Sequence, residues 1–128
     1  MSGDPIRVLL IDDEPSLLRM MSLYLSRKGF TVAVAANAQD ARAQSAAGGF
    51  DAVVIDATLP GATLDQLARE FLAADPRLHL LAVSGYPVDM SRLAAEAPRR
   101  VAFLHKPFSG EMLAATLRRL LGAEEESL

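Results

Sequence analysis

Apolar residues along this chain fall into two rhythms. Short, nearly unbroken runs recur at Ile6–Ile11, Phe30–Ala35, Ala52–Ile55, Leu78–Val83 and Val101–Leu104. Runs of this length suit strands buried on both faces of a parallel sheet. Between them the apolar spacing changes to three and four, the period of an amphipathic helix. After Pro15, the residues Leu17, Leu18, Met20, Met21, Tyr24 and Leu25 line one expected inner face, and Gly29 closes the helix. Proline suits a first helical turn and glycine the position just past the last. Asn37 is placed to cap an alanine-rich helix reaching about Ala47, with Asp40 in its first turn and Gly48-Gly49 beyond its end. A third helix, Leu64–Ala73, buries Leu64, Leu67, Ala68, Phe71 and Leu72 and stops at Asp75-Pro76. A weaker one runs from about Asp89 to Glu96 and ends at Pro98. Ser109 caps the last, which turns Met112, Leu113, Thr116, Leu117 and Leu120 inward before Gly122.

Five strand–helix alternations predict an α/β domain over residues 1–122. Its expected form is a doubly wound (βα)5 three-layer sandwich around a five-stranded parallel sheet of order 2-1-3-4-5. Residues 123–128, with three consecutive glutamates, form a solvated acidic tail in this reading.

Composition narrows the classes of function. A chain of 128 residues, 51% hydrophobic, is the size of one domain with a full core. The net charge is -3 and the 13 lysines and arginines are scattered, which argues against direct nucleic-acid binding. Absence of cysteine excludes disulfides and thiolate metal sites, and two isolated histidines make a poor zinc set. No apolar stretch approaches the roughly 20 residues of a membrane span, and Met1–Pro5 lacks the regions of a signal peptide. The expected location is the cytoplasm, with no membrane contact.

The strand ends add chemistry. Asp12-Asp13, Asp56, Ser84 and Lys106-Pro107 close four of the five runs, and ligands of open α/β sheets collect at the carboxyl edge of the strands. Taken alone, Asp12 and Asp13 suit two roles equally: capping the next helix, or ligating a hard divalent cation such as Mg²⁺. In a 2-1-3-4-5 sheet, Asp56 lies beside them. Three converging carboxylates raise one another's pKa unless a cation neutralises them, so the trio favours a metal. Asp56, kept ionised by Mg²⁺, is a competent nucleophile toward phosphorus. Lys106 supplies a compact positive charge, Pro107 makes the following bond a candidate for the cis form, and Ser84 offers a hydroxyl donor.

The ordered set resembles the receiver domains of bacterial two-component response regulators and hybrid sensor kinases across residues 6–121. The likeness is carried by Val8-Leu9-Leu10-Ile11-Asp12-Asp13-Glu14, by Asp51-Ala52-Val53-Val54-Ile55-Asp56 with Leu59-Pro60-Gly61, and by Phe103-Leu104-His105-Lys106-Pro107-Phe108. It implies a flavodoxin-like fold and a phosphoacceptor function without classical enzyme activity. Asp56 would receive a phosphoryl group from a histidine kinase or phosphotransfer protein. Asp13, Asp56 and the carbonyl of Thr58 would ligate Mg²⁺, with Asp12 acting through water. Lys106 and Ser84 would contact the phosphoryl group, and Phe103 would be the switch aromatic. A downstream effector would read helix four, strand five and helix five, including Arg92, His105 and Arg118, from a monomer or weak homodimer. The family usually has glycine where Leu64 stands and a large apolar residue in place of Asp65, so a different loop path after Asp56 is expected.

Two further readings compete. One is a pseudo-receiver that signals without phosphate, against which all five site positions argue. The other is a magnesium-dependent phosphatase with an aspartyl nucleophile, for which 128 residues leave no room for a substrate cap.

Overall fold

The computed structural model describes residues 5–122, so the expected tail at 123–128 lies outside the described residues. The strands are β1 (Arg7–Ile11), β2 (Thr31–Ala35), β3 (Ala52–Asp56), β4 (His79–Ser84) and β5 (Val101–His105). They alternate with α1 (Pro15–Arg27), α2 (Ala38–Ala47), α3 (Leu64–Ala74), α4 (Ser91–Glu96) and α5 (Gly110–Leu120). All pairings are parallel, in the expected order β2-β1-β3-β4-β5.

Successive strand side chains point to opposite faces, so the apolar runs feed two cores. Leu9, Ile11, Val53, Ile55, Leu80 and Ala82 pack beneath α2, α3 and α4. Val8, Leu10, Ala52, Val54, Leu81 and Val83 pack beneath α1 and α5. Burial on both faces explains why the central strands lack polar alternation.

The caps follow the local chemistry. Asn37 and Ser109 accept the Asp40 and Met112 amides at the starts of α2 and α5. Thr63 and Gln66 form a reciprocal capping box at α3. Leu64 is therefore the first residue of a capped helix, buried and outside the left-handed region, and needs no glycine freedom there. Helix α4 begins two residues later than its sequence suggests, because Asp89 accepts the Ser91 amide and hydroxyl instead of joining the helix.

Two inner-face expectations are corrected. Met20 is 36% exposed, because the buried line of α1 runs through Leu18, Met21 and Leu25. Met112 is 49% exposed. Gly110 lies against the Tyr24 ring with no room for a Cβ, so α5 turns its small residues toward α1 and carries Met112 outward. That rotation also places Arg118 over the Phe30 ring, with its guanidinium donating to the Lys28 carbonyl. Arg118 of α5 thus contacts the segment between α1 and β2.

Candidate phosphoacceptor site

Backbone pairing brings the strand ends together. Asp12 follows β1 directly, and its amide donates to the Ala35 carbonyl. Asp56 pairs in register with Val83, and the next amide, Ala57, donates to the Val83 carbonyl at 2.8 Å. Lys106 follows β5, its amide bonded to the Ser84 carbonyl at 2.8 Å, and the Lys106–Pro107 peptide is cis. Carboxylate oxygens of Asp12, Asp13 and Asp56 consequently lie within 4.8 Å of one another. Asp12 and Asp56 are buried, at 1% and 4% exposure, whereas Asp13 faces solvent.

Each buried carboxylate has a different hydrogen-bond environment. Asp12 Oδ1 accepts the Glu14 amide at 3.0 Å, and its Oδ2 accepts from Lys106 Nζ at 3.1 Å. Asp56 Oδ1 accepts two donors from Thr58, the amide at 3.0 Å and the hydroxyl at 2.9 Å. Its Oδ2 lies 3.5 Å from Lys106 Nζ. Burial pushes the Asp12 carboxyl above the usual aspartate range, aided by the Asp56 charge and only partly opposed by Glu14 and Lys106. For Lys106, burial opposes the charged form, but the hydrogen bond and charge of Asp12, with the charge of Asp56, outweigh it and raise the ammonium pKa.

The donor set fits a hard divalent cation. Three carboxylates against one ammonium leave about two negative charges formally unmatched. Oxygen-only ligation with room for water is what Mg²⁺ prefers. Asp12, Asp13, Asp56 and Lys106 are brought together by the fold. Ser84 is buried at the same edge, but its Oγ accepts the Tyr86 amide at 3.0 Å and makes no hydrogen bond to any of the four. Phe103 stands apart, packing on the core beneath α2 to α4, with its ring edge-on to His105 at 6.3 Å. Thr58 is expected at this site through its carbonyl, and the hydrogen bond from its hydroxyl to Asp56 is the contact that sequence reasoning did not foresee. A hydroxyl two residues past a strand-end aspartate was its signal, since an aspartate side chain accepts the amide two residues on and so brings that residue's hydroxyl within reach.

Comparison with known proteins agrees with this geometry. Residues 8–118 match the family described as the response regulator receiver domain. The transcriptional regulatory protein TrcR of Mycobacterium tuberculosis is 35% identical over 119 residues, 93% of this chain and 46% of its own length. The chain spans about half or less of the curated relatives it matches, 51% and 26% of two others. Among solved structures, a response regulator receiver protein from Sinorhizobium medicae is 28% identical, with a TM-score of 0.80 over 97% of this chain and 100% of its own. The response regulator TrrA of Thermotoga maritima, solved with Mg²⁺ and BeF, shares the fold, with a TM-score of 0.77 at 24% identity over 91% of this chain and 99% of its own.

Proposed function

The chain belongs to the response regulator receiver domain family, and from that premise we propose that it accepts a phosphoryl group on Asp56. The donor is the phosphohistidine of a sensor histidine kinase or phosphotransfer protein. One observation carries the reading: three carboxylates and one ammonium meet at the carboxyl edge of the sheet. In the transfer, an Asp56 oxygen bonds to phosphorus as the P–N bond breaks and the imidazole nitrogen keeps the electron pair.

Such transfers depend mainly on placement and charge neutralisation. Thr58 holds Oδ1 of Asp56 with two donors, which leaves Oδ2 on the Lys106 side. Lys106 is then placed to pair with a phosphoryl oxygen. Because Ser84 Oγ accepts from Tyr86, its own proton is available to donate to a second phosphoryl oxygen once the side chain turns. Asp12, Asp13, Asp56 and the Thr58 carbonyl would hold Mg²⁺, which when bound neutralises charge on the transferring group. Phe103 follows Ser84 as the switching ring. Its change is read by an effector on the surface of α4, β5 and α5, where Arg92 and His105 are exposed. No helix among the described residues is long and apolar enough to cross a membrane.

Incubation with Mg²⁺ and acetyl phosphate, followed by intact mass measurement, tests the assignment. The expected result is a gain of one phosphoryl group that Asp56→Asn abolishes. An adduct that survives Asp56→Asn, or continuous turnover of phosphate esters, would overturn it.

A further inference from the structure

The three helices on one face of the sheet are laced by two bidentate ion pairs that both start from α3. Arg42 of α2 meets Glu70 through Nε–Oε1 at 2.8 Å and Nη2–Oε2 at 3.1 Å. Arg69 meets Glu96 of α4 in the same way, at 2.9 and 3.0 Å. The Arg69–Glu96 pair forms part of the wall of a cleft of about 310 Å³ between α3 and α4, floored by Leu72, Leu93 and Ala97.

Helix α4 is short and lightly packed, with Asp89 accepting from Ser91 at its start and Ala97 buried just past its end. It has six residues, buries only Leu93 within its span, and its N-cap residue Met90 supplies no side-chain cap. Helix α3 has eleven residues, five of them buried, and a capping box. Helix α4 is also joined directly to the site, since residues 85–90 connect it to Ser84 at the end of β4. The Ser84–Tyr86 hydrogen bond closes the first turn of that connection. Turning Ser84 Oγ toward Asp56 breaks this bond and frees the segment, and the open cleft gives α4 space to shift.

The geometry points to the Arg69–Glu96 pair as a clasp that holds α4 in its resting position and thereby restrains phosphoryl binding at Asp56. This inference rests on the phosphoacceptor reading of the site. Linkage sets the sign: a contact made only in the resting state weakens a ligand of the other state by the factor with which it favours rest. Exposed bidentate pairs are modest, so releasing the clasp is expected to tighten binding about two- to fivefold.

The test titrates the 128-residue chain with Mg²⁺ and beryllofluoride by amide NMR, with hydrogen exchange of the Ala94 and Ala97 amides as a second measurement. Glu96→Gln and Arg69→Gln are expected to tighten beryllofluoride binding two- to fivefold and to speed exchange in α4. The double reversal Arg69→Glu with Glu96→Arg restores both. Glu70→Gln, which breaks the sister pair, leaves the affinity unchanged. Faster exchange without tighter binding, an equal shift from Glu70→Gln, or failure of the reversal to restore affinity overturns the clasp. Absence of any response in the unaltered protein overturns the phosphoacceptor reading itself and the coupling with it, which separates the two failures.

Discussion

At the amino end of the sheet, Arg100 donates to the carbonyls of Leu72, Asp75 and Leu78, at 3.0, 2.6 and 2.9 Å. Arg7 donates to the Gly49 carbonyl at 2.7 Å and lies over the Phe50 ring, while its amide is taken by Asp51. At the carboxyl end, three carboxylates share one ammonium. The guanidinium groups at the amino end are matched to backbone carbonyl dipoles, those of Leu72 and Leu78 among them on buried residues. The carboxyl end keeps unmatched negative charge, two of its three carboxylates being buried. The same sheet thus uses charge to close one end and to hold the other ready for a ligand, which is why stability and function separate along the strands.

The largest effect expected from this contrast is at Arg100. Arg100→Met keeps most of the side-chain volume but removes the donors to three carbonyls, including those at the C-terminal end of α3. The expected loss is about 2 kcal/mol, given that a buried acceptor left unpaired costs on the order of 1–3 kcal/mol, that the Asp75 carbonyl keeps the Leu78 amide, and that relaxation recovers part of the total. Urea unfolding checks it through a lower midpoint at unchanged slope. The stabilisation given by Mg²⁺ is expected to survive, and its loss would mean that the two ends are not independent.

The opposite sign is expected at Asp12. Asp12→Asn keeps an acceptor for the Glu14 amide and removes one buried charge, so the metal-free protein gains about 1 kcal/mol. The response to Mg²⁺ is expected to shrink or vanish in the same variant. The pH dependence follows from the raised Asp12 pKa. The folded state holds this proton more tightly than the unfolded chain, so the contribution is full below the ordinary aspartate range. It is lost as pH rises through the raised value. Thermal melts in chelator compare the two proteins, and their difference grows from acid toward neutral pH. A destabilised Asp12→Asn protein at neutral pH would show that Lys106 already balances the cluster.

Much of this could be read from the sequence because the signals are local. Period, caps and breakers placed all ten elements, and strand ends placed Asp12, Asp13, Asp56 and Lys106, since a parallel sheet gathers its carboxyl ends whatever the loops do. Contacts between distant segments were not legible. Arg69 and Glu96 are 27 positions apart, and Arg100 reaches carbonyls 22 to 28 positions away. Nothing local marks such partners. Met112 was misplaced for a related reason. Apolar spacing gives the period of a helix, but its rotation was set here by the close approach of Gly110 to Tyr24. The departure at Leu64 looked consequential as a lost glycine, yet Thr63 and Gln66 supply the cap that makes an ordinary helical residue fit.

The smallest expected effect concerns backbone rather than charge at the amino end. Arg99 has φ 65°, the only non-glycine residue with positive φ among the described residues, in the turn between α4 and β5. A side chain costs about 1 kcal/mol in that region, and glycine avoids the clash but loses more freedom on folding. The two terms leave Arg99→Gly ahead by about 0.5 kcal/mol, or roughly 2 °C in melting temperature for a domain of this size. The neighbouring Arg100 contacts are backbone-directed and are expected to persist, so the gain should appear in chelator and in Mg²⁺ alike. A loss of stability would show that the Arg99 side chain contributes more than its strain, and would extend to a third arginine the charge-to-backbone matching that distinguishes this end of the sheet from the acidic one.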